Sequence, residues 1–532
     1  MTGSDAEGRA HNTLFLGDNL PILLNYLSEA SIDLAYFDTP SRSVQEDTSD
    51  SWVWSDDTER VLSDPVEHLG NLKLAQILPP IIEILGRTGE GAIVTRLAAR
   101  ISAVHRLLKP TGWLFLQAPT AISGYLRPII DSVFGPAGFR NEIIWRRSPG
   151  AAPKHSRMTD SHDTILAYAR SRETEWNPAG LFVPLSPDEA RAQGFTVDDS
   201  GRFYRLESLT SPFKDRPDSV YEFLGVTGSW RFTMQRMEEL YQAERIIQKR
   251  PGQTPRLKRY LDETSGRALN DTWVDIPQLT IRSPERVGLP SQKPLALLSR
   301  IIEAGSKEGD VVLDPFAGAA TSLVAAQSLG RRWVGIERSI ATIGMIDARL
   351  RATFGEGVRN SIKMVGLPET VSAGAALFEN SPSEFASWCM LILGGEAQGR
   401  EGSGVYRPDG TIRFAGGDVN DPVIATVEIK RSLEDREAIA RVVRFAERRN
   451  ALTVIVTIDE PSPTILALMG EYGTLSHDAV QYPRAQVLSL ADLISGRRPE
   501  IPTSLIPFLH KERFTTDANS TYNHPLDDGT DQ

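Results

Sequence analysis

Two groups of residues in this chain have types and spacings suited to chemistry. In VVLDPFAGAATS, a β-branched run ends at Asp314, a tight turn follows, and a helix begins near Thr321. Ala317, Gly318, Ala319 and Ala320 are small enough to let a ligand lie against the backbone, and a helix N-terminus offers unpaired N–H groups. The next strand-like run, WVGIE, ends in Glu337, 23 residues after Asp314, where a carboxylate can accept hydrogen bonds from ribose hydroxyls. The full G-x-G-x-x-G and the P-loop lysine are both missing, which counts against dinucleotides and nucleoside triphosphates. The second group is Asp409, Glu428 and Lys430, with Glu428 coming 19 residues after Asp409. Alternation along a strand puts Glu428 and Lys430 on one face. Asp409 and Glu428 together can hold Mg²⁺, with Lys430 positioning or activating water for attack on a phosphodiester. The competing reading is a plain exposed pair of charges.

The elements that must position these residues follow an α/β rhythm. LFLGDNLPILLNYL followed by IDLAYFDTP, and the Asp314 block, each read as a strand, a turn and a helix, which predicts a parallel sheet covered by helices. LAARISAVHRLLKPTGWLFLQA reads as helix, turn and strand. From about Ser148 to Asp275 the rhythm is lost, and this stretch is expected to be an insertion or recognition region, with a basic surface compatible with a specific DNA site. It holds a basic cluster: between Gly228 and Tyr260, eight Lys/Arg stand against three Glu, a net of +5. A second break near Val371 divides residues 1–370 from a smaller α/β domain at 371–515, and 516–532 read as a disordered tail.

Composition bounds the rest. The 532 residues carry 58 basic and 69 acidic side chains, a net of −11, which argues against a protein that coats nucleic acid without specificity. A single cysteine, Cys389, excludes a disulfide framework and a multi-cysteine zinc site. His/Cys metal spacing and G-x-S-x-G are both absent, so hydrolase triads have no support. Without an apolar run of about 20 residues or a signal-peptide core, the expectation is a cytoplasmic protein with no membrane partner.

DPFAGAATS with the downstream GIE resembles motifs I and II of S-adenosylmethionine-dependent DNA amino-methyltransferases, usually written D-P-F-x-G-x-G-T. SQKPLALLSRII resembles their T-Q-K-P-x-x-L motif X, and LFLGDNLPILLNYL with IDLAYFDTP sits where they carry G-D-N and D-P-P-Y. FGPAGFRNEIIWRRS, HDTILAYARS and DTWVDIP add family-like stretches, and the order, motif IV before motif I, is that of the β class. The resemblance spans about Leu14 to Leu350. It implies a Rossmann-like methyltransferase fold with S-adenosylmethionine bound by Asp18, Asn19, Lys293, Asp314, Phe316, Gly318, Thr321 and Glu337. It also implies a flipped base in double-stranded DNA, its amine held by Asp38 and a backbone carbonyl at the Pro40 segment. Adenine N6 is expected before cytosine N4 because an Asp opens motif IV.

The match departs from the family in two places. Asp38-Thr39-Pro40-Ser41 stands where D-P-P-Y is usual, so the stacking aromatic is lost; Trp52 and Trp54 are nearby rings. Base–aromatic stacking is worth about 1–3 kcal/mol. Ala320 also replaces a motif I glycine. The tail of the chain resembles the PD-(D/E)XK core of Mrr-type restriction endonucleases, with Asp409, Glu428 and Lys430 in the catalytic positions, Mg²⁺ on the two acids, and Glu384 on the preceding helix. Three functions stay open: an active methyltransferase of a restriction-modification system; a nuclease whose methyltransferase-like part reads DNA; and a non-catalytic DNA-binding subunit. A homodimer or other restriction-modification subunits are the expected company.

Overall fold

The computed structural model describes residues 11–39, 53–148, 158, 160–211, 219–398, 407–414 and 424–505. Pro40, Ser41, Trp52 and the expected tail at 516–532 lie outside the described residues.

The larger sheet is built from β1 (Asn12–Leu16), β2 (Ile32–Asp38), β3 (Leu108–Ala118), β4 (Phe139–Arg146), β5 (His162–Ala169), β6 (Thr272–Trp273), β7 (Val311–Asp314), β8 (Arg332–Glu337) and β9 (Ile362–Val365). Their spatial order is β6-β4-β5-β3-β2-β7-β8-β1-β9. From β3 to β9 every neighbouring pair runs parallel, while β5 is antiparallel to both β3 and β4. Strands buried on both faces need near-continuous apolar sequence, and IDLAYFD and VVLD supply it. Four helices serve the site-bearing strands: α1 (Asn19–Asn25), α2 (Gly89–Leu107), α3 (Leu295–Gly305) and α4 (Thr321–Ser328). Two glycines bring helix and sheet close together. A Cβ on Gly335 of β8 would stand 2.8 Å from Leu323 of α4, and one on Gly305 of α3 would stand 2.8 Å from both Leu34 and Phe115. Any larger side chain at either position would have to push the helix off the sheet.

The segment expected to be an insertion from Ser148 to Asp275 is divided differently. His162–Ala169 is an inner strand of the larger sheet, and Thr272–Trp273 is an edge strand beside β4. DTILAYA is apolar enough to be buried on both faces, a signal that outweighs the loss of α/β alternation around it. The compact unit that does separate is Trp176–Asn270. It has a four-stranded sheet of Ile246–Ile247, Arg256–Tyr260, Phe203–Ser208 and Thr196–Val197. Its small core gathers Leu209, Phe223, Trp230, Met237, Leu240, Ile246 and Leu257.

Helix α5 (Ile340–Phe354) joins β8 to β9, and the chain then continues into α6 (Val371–Asn380) and α7 (Pro382–Leu393). The expected break near Val371 falls at the first residue of α6. A second sheet comes next, made of β10 (Glu396–Ala397), β11 (Gly410–Arg413), β12 (Ile424–Lys430), β13 (Leu452–Thr457) and β14 (Ala485–Ser489), neighbours in that order. β10, β11 and β12 are antiparallel, whereas β12, β13 and β14 are parallel, with α8 (Arg436–Glu447) crossing between β12 and β13. Helix α7 packs on α5, so both sheets lie in one compact unit. Among the described residues, no helix is long and apolar enough to cross a membrane.

Candidate active site

The parallel run β2-β7-β8-β1 delivers its carboxyl ends to one edge, the place where open α/β sheets take ligands. Asp38, Asp314 and Glu337 close three of these strands, and Asp18 and Asn19 come just after the fourth. The residues of the family-like motifs, scattered over some 320 positions from Asp18 to Glu337, are therefore neighbours.

Asp314 holds the loop that comes after it. One carboxylate oxygen accepts the Phe316 N–H at 2.9 Å and the other accepts the Ser322 hydroxyl. Burial pushes its pKa up to about 7, against the pull of these two hydrogen bonds. The Phe316 ring meets Phe37 of β2 edge-on, centroids 5.6 Å apart. Gly318 has φ +44° and Ala320 φ +58°, so the turn passes twice through the left-handed region. Glycine enters this region without steric cost; alanine does not. Glu337 accepts three backbone N–H groups, from Gly318 at 3.1 Å, Arg338 at 2.8 Å and Ser339 at 3.1 Å. Burial still raises its pKa above the ordinary carboxylate range.

Asn19 and Asp18 support this loop from β1. The Asn19 amide donates to the Pro315 carbonyl at 2.7 Å, while Asp18 caps α1 by accepting the Leu20 N–H at 2.8 Å. Arg100 of α2 reaches both, donating to the Asn19 side-chain oxygen and pairing with Asp18 at 3.1 Å. Behind the loop, the buried Arg349 donates to the Ala319 carbonyl and, at 2.9 Å, to the Thr321 hydroxyl. Arg100 and Arg349 escape a reading of the sequence: each is an ordinary helical arginine by spacing, and nothing local marks its target.

Lys293 stands apart from the cofactor contacts with which the resemblance groups it. Its ammonium donates to both oxygens of Asp38, at 2.7 Å each, and to the Ser291 carbonyl at 3.2 Å. Next to this pair lies a polar network in which the Tyr36 hydroxyl donates to Gln117 at 2.7 Å and the Gln117 amide donates to Asp163 at 2.8 Å. Arg147 faces Asp163 at 3.1 Å. Thr39 donates through its hydroxyl to the Gln117 carbonyl at 2.8 Å. Trp54 packs on the large core and donates to Glu59 at 3.0 Å.

In the second sheet, Glu428 and Lys430 share a face, with 3.2 Å between ammonium and carboxylate, as alternation predicts. Asp409 precedes β11 and accepts the Ile429 N–H at 2.8 Å, which ties it to β12. Among the described residues, no three acidic, histidine or cysteine side chains converge as a metal cluster. Glu384 points elsewhere: it accepts the Ile340 N–H at 2.8 Å, at the N-terminus of α5 and beside Glu337.

In the separate unit Trp176–Asn270, several of the clustered cations are already paired. Arg236 meets Glu239 at 2.6 Å, and Arg245 pairs with Glu263. Lys249, Arg250, Arg256 and Arg259 are exposed.

The strain at Ala320 gives a test. An L-residue in the left-handed region costs roughly 1–2 kcal/mol, partly offset by the extra freedom glycine has when unfolded. Ala320→Gly should therefore raise the unfolding free energy by about 1 kcal/mol in urea titrations. An unchanged or lower midpoint would mean that the turn carries no such strain.

Comparison with known proteins finds DNA methyltransferases. Residues 83–346 match the family model for N6/N4 methyltransferases, described as DNA methylase. The type II methyltransferase M.EcaI of Enterobacter cloacae is 25% identical over 347 residues, covering 61% of this chain and 75% of its own. The Mod subunit of the type III restriction-modification enzyme StyLTI of Salmonella typhimurium is 24% identical over 355 residues, 60% of this chain and 50% of that one. The solved structure of the Thermus thermophilus DNA modification methylase TTHA0409 with S-adenosyl-L-methionine aligns over 66% of this chain and 97% of its own, at 18% identity and a TM-score of 0.31. The family match begins beyond Asp38 but takes in Lys293, Asp314 and Glu337. Residues 83–346, which run from α2 to β8, are thus similar to the N6/N4 DNA methylases.

Proposed function

We propose that this protein is a site-specific DNA methyltransferase that moves a methyl group from S-adenosylmethionine to an exocyclic base amine, adenine N6 before cytosine N4, in a restriction-modification or defence setting. The observation that carries the reading is the gathering of Asp38, Asp314 and Glu337 at one parallel sheet edge, with the family match taking in Asp314 and Glu337. The names of the two relatives, a type II methyltransferase and a type III Mod subunit, favour the same setting and a partner subunit.

The residues at the edge fit such a cofactor. Glu337 supplies an acceptor for a ribose diol. At Gly318 an added Cβ would meet nothing closer than the Phe316 carbonyl at 3.6 Å, so the backbone there lies open to a ligand. When bound, S-adenosylmethionine supplies an electrophilic methyl group on a sulfonium. The chain's own task is to place the amine. Asp38 accepts an N–H of the target amine, aims the nitrogen lone pair at the methyl, and is the nearest acceptor for the proton that leaves as the N–C bond forms. Asn19 and Asp314 fix the loop on which the cofactor rests. Lys249, Arg250, Arg256 and Arg259 are cations suited to the phosphates of double-stranded DNA.

Tritiated S-adenosylmethionine with mixed duplex DNA tests the reading. Wild type should label the DNA, and Asp38→Ala should cut the rate about 100-fold or more by removing the acceptor. Nucleoside digestion of the product separates N6-methyladenine from N4-methylcytosine. Equal rates in wild type and Asp38→Ala would contradict the assignment.

The second sheet favours an additional reading as a Mg²⁺-dependent nuclease. Helix α7, three antiparallel strands, a crossover helix and a parallel fourth strand set Asp409 against the strand that bears Glu428 and Lys430. Asp409 and Glu428 would hold Mg²⁺ and Lys430 would orient the attacking water. Plasmid nicking or cleavage should then need Mg²⁺, stop with EDTA, and fall about 100-fold or more in Lys430→Ala with DNA binding retained. Cleavage that survives Lys430→Ala unchanged would rule this reading out.

A further inference from the structure

We propose that Lys293 is a positioning residue for methyl transfer: its ammonium holds the Asp38 carboxylate ready and fills the target amine's place until a base arrives. The proposal rests on the methyltransferase reading above. It starts from a saturated contact. Both Asp38 oxygens receive an N–H from Lys293 at 2.7 Å, and a third donor of the ammonium goes to the Ser291 carbonyl at 3.2 Å. The pair is also withdrawn from water, with side chains only 12% and 22% exposed.

An exocyclic amine needs these same oxygens. Each oxygen keeps a further lone pair, but the ammonium bonded to both of them stands where an incoming amine would have to lie to bond them squarely. For the amine to take that place, Lys293 gives up at least one oxygen. A flexible four-carbon stem and an anchor on a backbone carbonyl suit it to swing rather than unfold. The lysine thus mimics, in the free protein, the donor that the substrate later provides.

The surroundings explain why a stand-in is needed. Asp38 is half-buried at the end of β2, and the carboxylates of Asp163 on β5 and Asp314 on β7 face it with like charge. Tyr36 on β2 turns its hydroxyl to Gln117 of β3, and Arg147 is engaged with Asp163. Burial already holds the Asp38 pKa above the ordinary carboxylate range, Lys293 is what opposes it, and without the ammonium the carboxyl would keep its proton to higher pH. A protonated Asp38 is a poor acceptor for an amine N–H.

Removing Lys293 raises the pKa of Asp38, so the rate should be low at neutral pH and climb as the carboxyl ionises. At alkaline pH the variant also lacks the competitor. The experiment is single-turnover transfer from tritiated S-adenosylmethionine to duplex DNA between about pH 6 and pH 9.5, in wild type and Lys293→Met, beside calorimetric binding of S-adenosylmethionine. Wild type should be nearly flat. Lys293→Met should bind S-adenosylmethionine like wild type, lose about tenfold or more near pH 7, and regain or exceed the wild-type rate at the alkaline end. A pH-independent loss, or lost S-adenosylmethionine binding in a folded variant, would overturn the proposal; the second result would return Lys293 to the cofactor site. Should wild type transfer no methyl group to any DNA, the enzymatic reading fails, and ¹³C-carboxyl NMR still decides the pair. With Asp38 assigned through Asp38→Asn, its titration should move to higher pH in Lys293→Met, and an unmoved titration would refute the proposal.

Discussion

Burying carboxylates is the constraint on which this site depends. Four parallel strands bring Asp18, Asp38, Asp314 and Glu337 to one edge, and a carboxylate withdrawn from water is costly unless a specific partner meets it. Each acid has one. Asp38 has an ammonium, Asp314 a hydroxyl and an amide, Glu337 three amides, and the more exposed Asp18 a guanidinium. The sequence separations are large, 255 residues for Asp38 and Lys293 and 82 for Asp18 and Arg100. The edge therefore exists only when the whole sheet is assembled, and its acidic character is a property of the fold.

How much of this is legible in the sequence depends on the range of each signal. Strand–turn–helix blocks are local, so the Asp314 loop, the Glu337 strand end and the alternation of Glu428 with Lys430 can be read directly. The position of β5 cannot, because a buried antiparallel strand inside an otherwise parallel sheet breaks the rhythm used to find the others. Nor can the partner of Lys293. Motif spacing groups it with the cofactor loop, whereas side-chain direction aims it at Asp38, and direction is set by the packing of α3 against the sheet. Arg100, Arg349 and Glu384 share that limit: their targets are backbone or side-chain atoms far away in sequence.

Glu384 links the two sheets. A carboxylate at a helix N-terminus is favourable by about 0.3–1 kcal/mol. Here it sits on the first turn of α5, next to Glu337, whose own carboxylate takes the two preceding amides. Helix α7 thus completes the capping of the strand edge where the ribose is expected. That arrangement accounts for the packing of α7 on α5 and for both sheets forming one compact unit.

The proposed function makes this edge a binding site for S-adenosylmethionine, built on Asp314, Gly318 and Glu337. Isothermal titration calorimetry of the full chain with S-adenosylmethionine tests it most directly, with Gly318→Val as the comparison. The account predicts saturable binding at one site per chain, lost when a β-branched side chain is forced onto φ +44°. Heat of binding that is absent in wild type at millimolar ligand, or unchanged in a folded Gly318→Val, would contradict it.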